Sequence, residues 1–349
     1  MSFSPLSLLL GMQSFYSLFI NAARFTHEQY SRSTHWASVH LSILMADSNH
    51  SCSRQDFQEY HFIRESSSHC YIFLCTANVV LSTFAVSGNA FILFALYQCR
   101  SIHSLTKALF YSLAFSDFGV GMVAQPLQVA AGIATLQGNL NLFCSVQPYY
   151  AAVAYYFCSV SFITMTAISV ERFLALRLGV KYRLVVTVKK VALILVFMSM
   201  GCAVWAISRM WHILINKISG LIIGLLSVVV TSSCYFRIYS SLRVSKTRIA
   251  SHQLPRSRPR NVLNMALYRR SVNSTLSVFG FLVTCYIPYL CALIAVAFLG
   301  YSASVVLATN LTTLVIFLNS SLNPFIYCWR IREIRTRVIA IIRKLCPIV

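Results

Sequence analysis

Asn319-Ser320-Ser321-Leu322-Asn323-Pro324-Phe325-Ile326-Tyr327-Cys328-Trp329-Arg330 closes the last long apolar run of the chain. Proline has no N–H to donate and its ring crowds the carbonyl four residues back, so a helix through this stretch kinks. In lipid the freed carbonyl needs a donor, and Asn319, Ser320 and Asn323 lie about one turn back to offer one. Tyr327 follows one turn past the kink. Arg330, Arg332, Arg335 and Arg337 come at once, as where a helix leaves a membrane on its basic side. A kinked span alone fits any transporter or channel, so the decision falls to the rest of the chain.

The 349 residues are 57% hydrophobic and include only 8 Asp plus Glu, too apolar for a soluble globular chain. Residues 66–99, 118–170, 191–208, 218–236 and 271–329 carry no Asp, Glu, Lys or Arg. A helix needs about 20 apolar residues to cross the hydrocarbon. Breaks at Gln137-Gly138-Asn139 and Gly300-Tyr301-Ser302 divide the longer runs, giving seven spans over 71–97, 106–131, 142–176, 189–210, 216–242, 266–298 and 304–328. The fold class is therefore all-α integral membrane, a seven-helix bundle.

The net charge of +21 first suggests nucleic acid, but its placement excludes that reading. The connections after spans one, three and five and the tail, with the helix ends flanking them, hold most of the 29 Lys and Arg. The opposite connections hold only Arg209 and Lys217. The positive-inside rule then puts the amino end outside and the carboxyl end in the cytoplasm. Residues 1–69 read as a disordered extracellular tail, 70–329 as the membrane domain and 330–349 as a cytoplasmic helix and short tail. Met45 is a second candidate start, and Asn49-His50-Ser51 is a glycosylation sequon on the outer side.

Polar residues inside the spans carry the chemistry. Asp117 in Leu113-Ala114-Phe115-Ser116-Asp117 is the one acid in a membrane interior. Such a carboxylate must be protonated, paired or cation-bound. Gly88-Asn89 in span one reads minimally as a packing glycine beside a satisfied amide. Glu171-Arg172-Phe173 ends span three; a lone Glu-Arg pair at a helix end is common and weak. Span six carries Phe281-Leu282-Val283-Thr284-Cys285-Tyr286-Ile287-Pro288, where Pro288 supplies a hinge.

In this order, these motifs resemble those of the rhodopsin-like (class A) G-protein-coupled receptors over roughly residues 70–346. The resemblance implies a plasma-membrane receptor whose partners are a heterotrimeric G protein and an unknown extracellular ligand. It implies a sodium pocket of Asp117, Ser161, Asn319, Ser320 and Asn323, with Na⁺ as an allosteric ion; hard cations prefer such oxygens. It assigns coupling and switching to Glu171, Arg172, Tyr235, Tyr286, Pro288, Asn323, Pro324 and Tyr327. Tyr286 stands where the family usually has Trp, and Leu282 where it has Phe. The fourth-span Trp expected near Ser199 is replaced by Trp205 or Trp211. The usual outer disulfide is expected to be absent, because loop 211–216 has no Cys and Cys144 stands three residues early. Cys52 and Cys70 are open as alternative partners for Cys144.

Carried over by position, the ligand pocket comprises Gln125, Gln128, Tyr150, Ala154, Tyr155, Tyr286, Tyr289, Leu290, Asn310 and Thr313, a lining without charge. Ala154 stands where amine receptors hold Asp, and Phe317 where opsins hold the retinal-binding Lys, so a monoamine and retinal are both expected to be excluded. Ile331, Ile334, Val338, Ile341 and Leu345 share one face of an interfacial amphipathic helix, and Cys346 is a palmitoylation candidate. A transporter would show internal repeats and paired intramembrane charges, and an enzyme a catalytic set; neither pattern is present. A non-signalling seven-helix scaffold is the surviving alternative. No acidic residue lies between Glu171 and Glu333, so no carboxylate of span six can clasp Arg172, and ligand-free activity is expected.

Overall fold

The computed structural model describes residues 52–99, 104–182, 186–250, 259–330 and 332–345. Asn49 and Cys346 lie outside them. Helix α1 is Arg54–Glu65. The first span is α2, Ser68–Gln98. The second joins α3, Ser104–Gly119, through a π turn at Val120–Ala124 to α4, Gln125–Leu136. The remaining spans are α5 (Leu140–Leu178), α6 (Val188–Ser208), α7 (Ile213–Ala250), α8 (Pro259–Leu299) and α9 (Ala303–Arg330). Helix α10, Arg332–Leu345, follows. Seven of these segments are long and apolar enough to cross a membrane, among the described residues.

Their outward faces are apolar. The fourth span buries Cys202 and Ala206 and exposes Leu193, Phe197, Met200 and Val204, a pattern that suits lipid and not water. The third span packs against the second, fourth, fifth and sixth, and the seventh lies between the first and sixth. In α10, Ile334 and Ile341 are buried while Arg335 and Arg337 stay exposed, as the three-four spacing requires.

Two irregularities position the interior. At Pro324 the lost helical bond is that of the Ser320 carbonyl. Its donor is not one of the nearby residues of the same helix but Asn89, whose Nδ2 lies 3.0 Å from Ser320 O and 2.9 Å from Ala85 O. The residue before it, Gly88, lets the kink come close: a Cβ there would stand 2.8 Å from Pro324 Cγ. The second irregularity is in span two. A bend at Pro126 is realised as the π turn just before it, where the Gln125 N–H reaches back to Val120 O. One extra residue in a turn rotates everything beyond it by about 100°.

The stretch read as a wholly disordered tail contains α1. Ser53 caps it, with Oγ 3.1 Å from the Asp56 amide. Phe57, Tyr60 and Ile63 fall on one face and are buried, the last two in a cluster with Tyr71, Ala131, Phe143 and Val306. Apolar residues at helical spacing thus dock this segment over the α1 end of the bundle, against the second, third and seventh spans.

Candidate functional site

Three polar centres lie along the bundle axis. The middle one surrounds Asp117, which is fully buried. Asn323 Nδ2 donates to Asp117 Oδ2 at 2.6 Å and Ser161 Oγ to Oδ1 at 3.2 Å, so spans two, three and seven meet on one carboxylate. Ser320 is buried near it as well. Asn319 and Asn323 are both 1% exposed, and their Oδ1 atoms have no hydrogen-bond donor. An anion beside unmatched acceptors, all hard oxygens, fits a monovalent cation. Ser161, Ser320 and Asn323 of the expected site thus meet Asp117, and Asn319 lies one turn before Asn323 on the same helix.

Toward the α10 end, Arg172 Nε lies 3.3 Å from Glu171 Oε2. The contact is an ion pair without a hydrogen bond between these two atoms. Glu171 Oε1 instead accepts from Tyr182 OH at 2.7 Å, and Arg172 Nη2 donates to Thr106 Oγ1 at 3.3 Å. Tyr235 is buried, stacks on Phe279 with ring centres 5.7 Å apart, and lies 3.5 Å from Ser169 Oγ. Tyr327 packs on Phe110 in the same apolar cluster.

Toward the α1 end is a cavity of about 350 Å³. Tyr150, Ala154, Tyr155, Tyr286, Tyr289, Leu290, Asn310 and Thr313 line it, as carried over by position. Gln125 and Gln128 do not. The π turn swings them aside, and Gln125 instead meets Asn78 of the first span, Nε2 to Oδ1 at 3.4 Å. Tyr286 binds the Cys158 carbonyl at 3.1 Å and lies against Phe162, 4.7 Å between centroids. Trp205 lines the cavity, donates to Ser219 Oγ at 2.9 Å and covers Gly220, whereas Trp211 is exposed; Ser199 binds Tyr156 OH at 2.7 Å.

The expectation of an uncharged lining is overturned: Glu59, Arg209 and Lys217 also face the cavity. Glu59 arrives on α1, from the supposed tail, and Arg209 and Lys217 flank the short connection between spans four and five. Arg209 is 7% exposed, pairs with Asp56 at 3.7 Å, and stands over the Tyr155 ring at 5.7 Å. Lys217 donates to Tyr301 OH and lies 5.0 Å above that ring. Burial and the neighbouring Asp56 raise the Glu59 carboxyl above its ordinary value, against the opposing pull of Arg209, Lys217 and a Gln147 bond. The sequence signal for this cluster was the Ser-x-x-Glu/Asp start of α1 followed by apolar three-four spacing. Cys144 is disulfide-bonded, as the partners left open for it allow. Of its two suggested partners Cys70 is a free thiol and Cys52 is disulfide-bonded.

Seven apolar spans, a buried acid shared by three of them and a cavity at one end define a membrane receptor of seven helices. The family model "7 transmembrane receptor (rhodopsin family)" matches residues 88–216 and 199–327, more than half of the chain, and the chain belongs to that family of G-protein-coupled receptors. It is similar to the histamine H2 receptor of Rattus norvegicus, 24% identical over 288 residues covering 75% of this chain and 77% of that receptor. The histamine H2 receptor of Homo sapiens is 23% identical over 295 residues, 77% of this chain and 79% of that receptor. The adenosine receptor A2a of Canis lupus familiaris is 22% identical over 305 residues, 77% and 72% respectively. Histamine is an amine, so these relatives lend no support to excluding a monoamine. The structure weakens the ground for that exclusion too, because Glu59 supplies the cavity with a carboxylate that Ala154 does not.

Proposed function

We propose that this chain is a plasma-membrane receptor that passes an extracellular ligand signal to heterotrimeric G proteins, with the α1 end outside and the α10 end in the cytoplasm. The observation that carries the reading is the position of Tyr286. It lines the cavity and also packs on the apolar cluster that holds Tyr235 and Tyr327. A ligand that contacts Tyr286 differently in two arrangements of the sixth span shifts the balance between them. The sixth span moves about Pro288, the cluster repacks, and Arg172 leaves Glu171 to face the G protein.

Asp117, Ser161, Asn319, Ser320 and Asn323 would hold a sodium ion, whose charge balances the buried carboxylate while spans two, three and seven are closed on it. Opening the seventh span at Pro324 moves Asn319, Ser320 and Asn323 away from Asp117. In this way the middle site and the cavity oppose or support one another through shared helices.

Span six offers Arg172 no carboxylate, so the inactive arrangement lacks one restraint and the receptor signals without ligand. The test is basal G-protein activation by wild type and Arg172→Ala at matched surface expression. A wild-type signal lost in Arg172→Ala is expected. Silence of both across all G-protein classes, with both proteins at the surface, would overturn ligand-free signalling and leave a ligand-dependent receptor and a non-signalling scaffold to be separated by a ligand screen.

A further inference from the structure

The charged end of the cavity is more specific than the family reading requires. Arg209 forms an ion pair with Asp56 at 3.7 Å. Glu59 and Lys217 stand in the same cavity wall as an acid and a base that attract each other from outside ion-pair contact. Both have bonding capacity to spare. An ammonium carries three donors, of which Lys217 directs one to Tyr301 OH. A carboxylate has about four acceptor positions, and Glu59 has Gln147 near it in the same lining.

A ligand with a single charge would satisfy one of these groups and face the like charge of the other. A neutral ligand would satisfy neither. A ligand carrying both charges at one end matches both. Below them the walls are rings: Trp205, Tyr289, Tyr286, Phe162 and Phe317, with Ala154 leaving room among them. A volume of about 350 Å³ is near the small end of ligand sites and suits a single small molecule more than a peptide.

We propose that the cavity binds a free aromatic α-amino acid, with its ammonium on Glu59, its carboxylate on Lys217 and its ring among the aromatic walls. This rests on the cavity being the ligand site proposed above.

The test uses the purified full-length receptor in nanodiscs without G protein, reading thermal stability against L-tryptophan, L-tyrosine and L-phenylalanine up to about 10 mM, beyond the millimolar limit of weak specific binding. N-acetyl-L-tryptophan and L-tryptophan amide are the comparators, each lacking one charge. At least one free amino acid is expected to raise the melting temperature saturably. Each blocked analogue of tryptophan should need at least about tenfold more, the cost of one lost charged hydrogen bond. Glu59→Gln should weaken the free amino acid about tenfold yet bind the N-acetyl analogue no worse than wild type does, and Lys217→Met should do the mirror image with the amide. If Glu59→Gln lowers the unliganded melting temperature, Lys217→Met carries the comparison, and Ala154→Phe should abolish the shift by filling the space between the rings. No response to any of the three amino acids would overturn the proposal, as would blocked analogues that bind equally well or variants without effect. Arg172→Ala should bind normally, so loss of binding and loss of coupling are read separately.

Discussion

Asn89 offers the sharpest test of how this bundle is held. Its amide donates to the Ser320 carbonyl at 3.0 Å, the carbonyl that Pro324 deprives of a helical partner. Replacing Asn89 by Leu keeps the volume and removes the donor. An unsatisfied buried carbonyl costs about 1–3 kcal/mol in water-soluble proteins. Interhelical bonds in membranes average about 0.6 and reach about 1.7 kcal/mol, because unfolded helices find other partners in the bilayer. The Ser320 carbonyl has no helical alternative, so the upper part of the membrane range applies, about 1–1.5 kcal/mol. Asn89 Oδ1 has no donor of its own, and deleting it returns part of that cost. The single substitution therefore understates the bond, and a double-mutant cycle with Pro324→Ala is the proper measure. Alanine restores the N–H at position 324, so Asn89→Leu should cost little in that background. The space opened beside Gly88 by losing the proline ring is common to both proteins that lack Pro324 and cancels. At roughly 2–4 °C per kcal/mol, Asn89→Leu should lower the melting temperature of the detergent-purified receptor by about 2–5 °C, with most of the loss abolished by Pro324→Ala. Penalties that add to within about 0.5 kcal/mol would refute the assignment of Asn89 to the kink.

Arg209→Met leaves Asp56 buried without its cation and should destabilise the receptor by about 3–5 kcal/mol, with most of the loss recovered in the Asp56→Asn/Arg209→Met double variant; equal losses in single and double variants would show that the pair is not the cause. The raised Glu59 carboxyl favours the folded state below its ordinary value of 4.5, and that contribution is lost as pH rises through the raised folded value. The melting temperature of wild type relative to Glu59→Gln should therefore fall with rising pH, and a rise would contradict the burial argument. Exchanging choline for Na⁺ at constant ionic strength should lower wild-type stability and leave Asp117→Asn unchanged; at ten times its Kd the ion is worth about 1.4 kcal/mol, and equal sensitivity of both proteins would remove sodium from the Asp117 site.

The spans were legible because hydrocarbon tolerates almost no charge, so charge-free runs mark them directly. Asp117 was legible for the same reason, as a lone acid where acids are costly. What the sequence did not give up was position around a helix. Pro126 announces a bend, but nothing in its neighbourhood says that the chain will add a residue to the turn, and that one residue removed Gln125 and Gln128 from the cavity. The sequence points to the same helix for the donor to the Ser320 carbonyl, because sequence proximity is visible and the contact between spans one and seven is not. Helix α1 is short, polar on most faces and preceded by a Ser- and His-rich stretch, so its apolar stripe of Phe57, Tyr60 and Ile63 was masked by its surroundings. With α1 unseen, Glu59 had no reason to be near Lys217, and the cavity looked neutral.

Three of the bonds that join the first span to its neighbours end on a backbone carbonyl. Asn89 reaches the carbonyl of Ser320, Ser82 that of Gly121 at 2.7 Å, and Leu81 offers its own carbonyl to Ser321 at 2.9 Å. A bond to a carbonyl does not depend on the identity of the residue that bears it. The donor must remain a donor, while the acceptor's side chain is free to change so far as that bond is concerned. Substitutions along this seam are therefore tolerated unequally: Asn89, Ser82 and Ser321 are fixed by what they give, and Leu81 only by how it packs. Two receptors with different residues at such acceptor positions would keep the same join between these helices, so a chimera that exchanges the seventh span need only preserve its kink and the serine at 321 to keep these bonds.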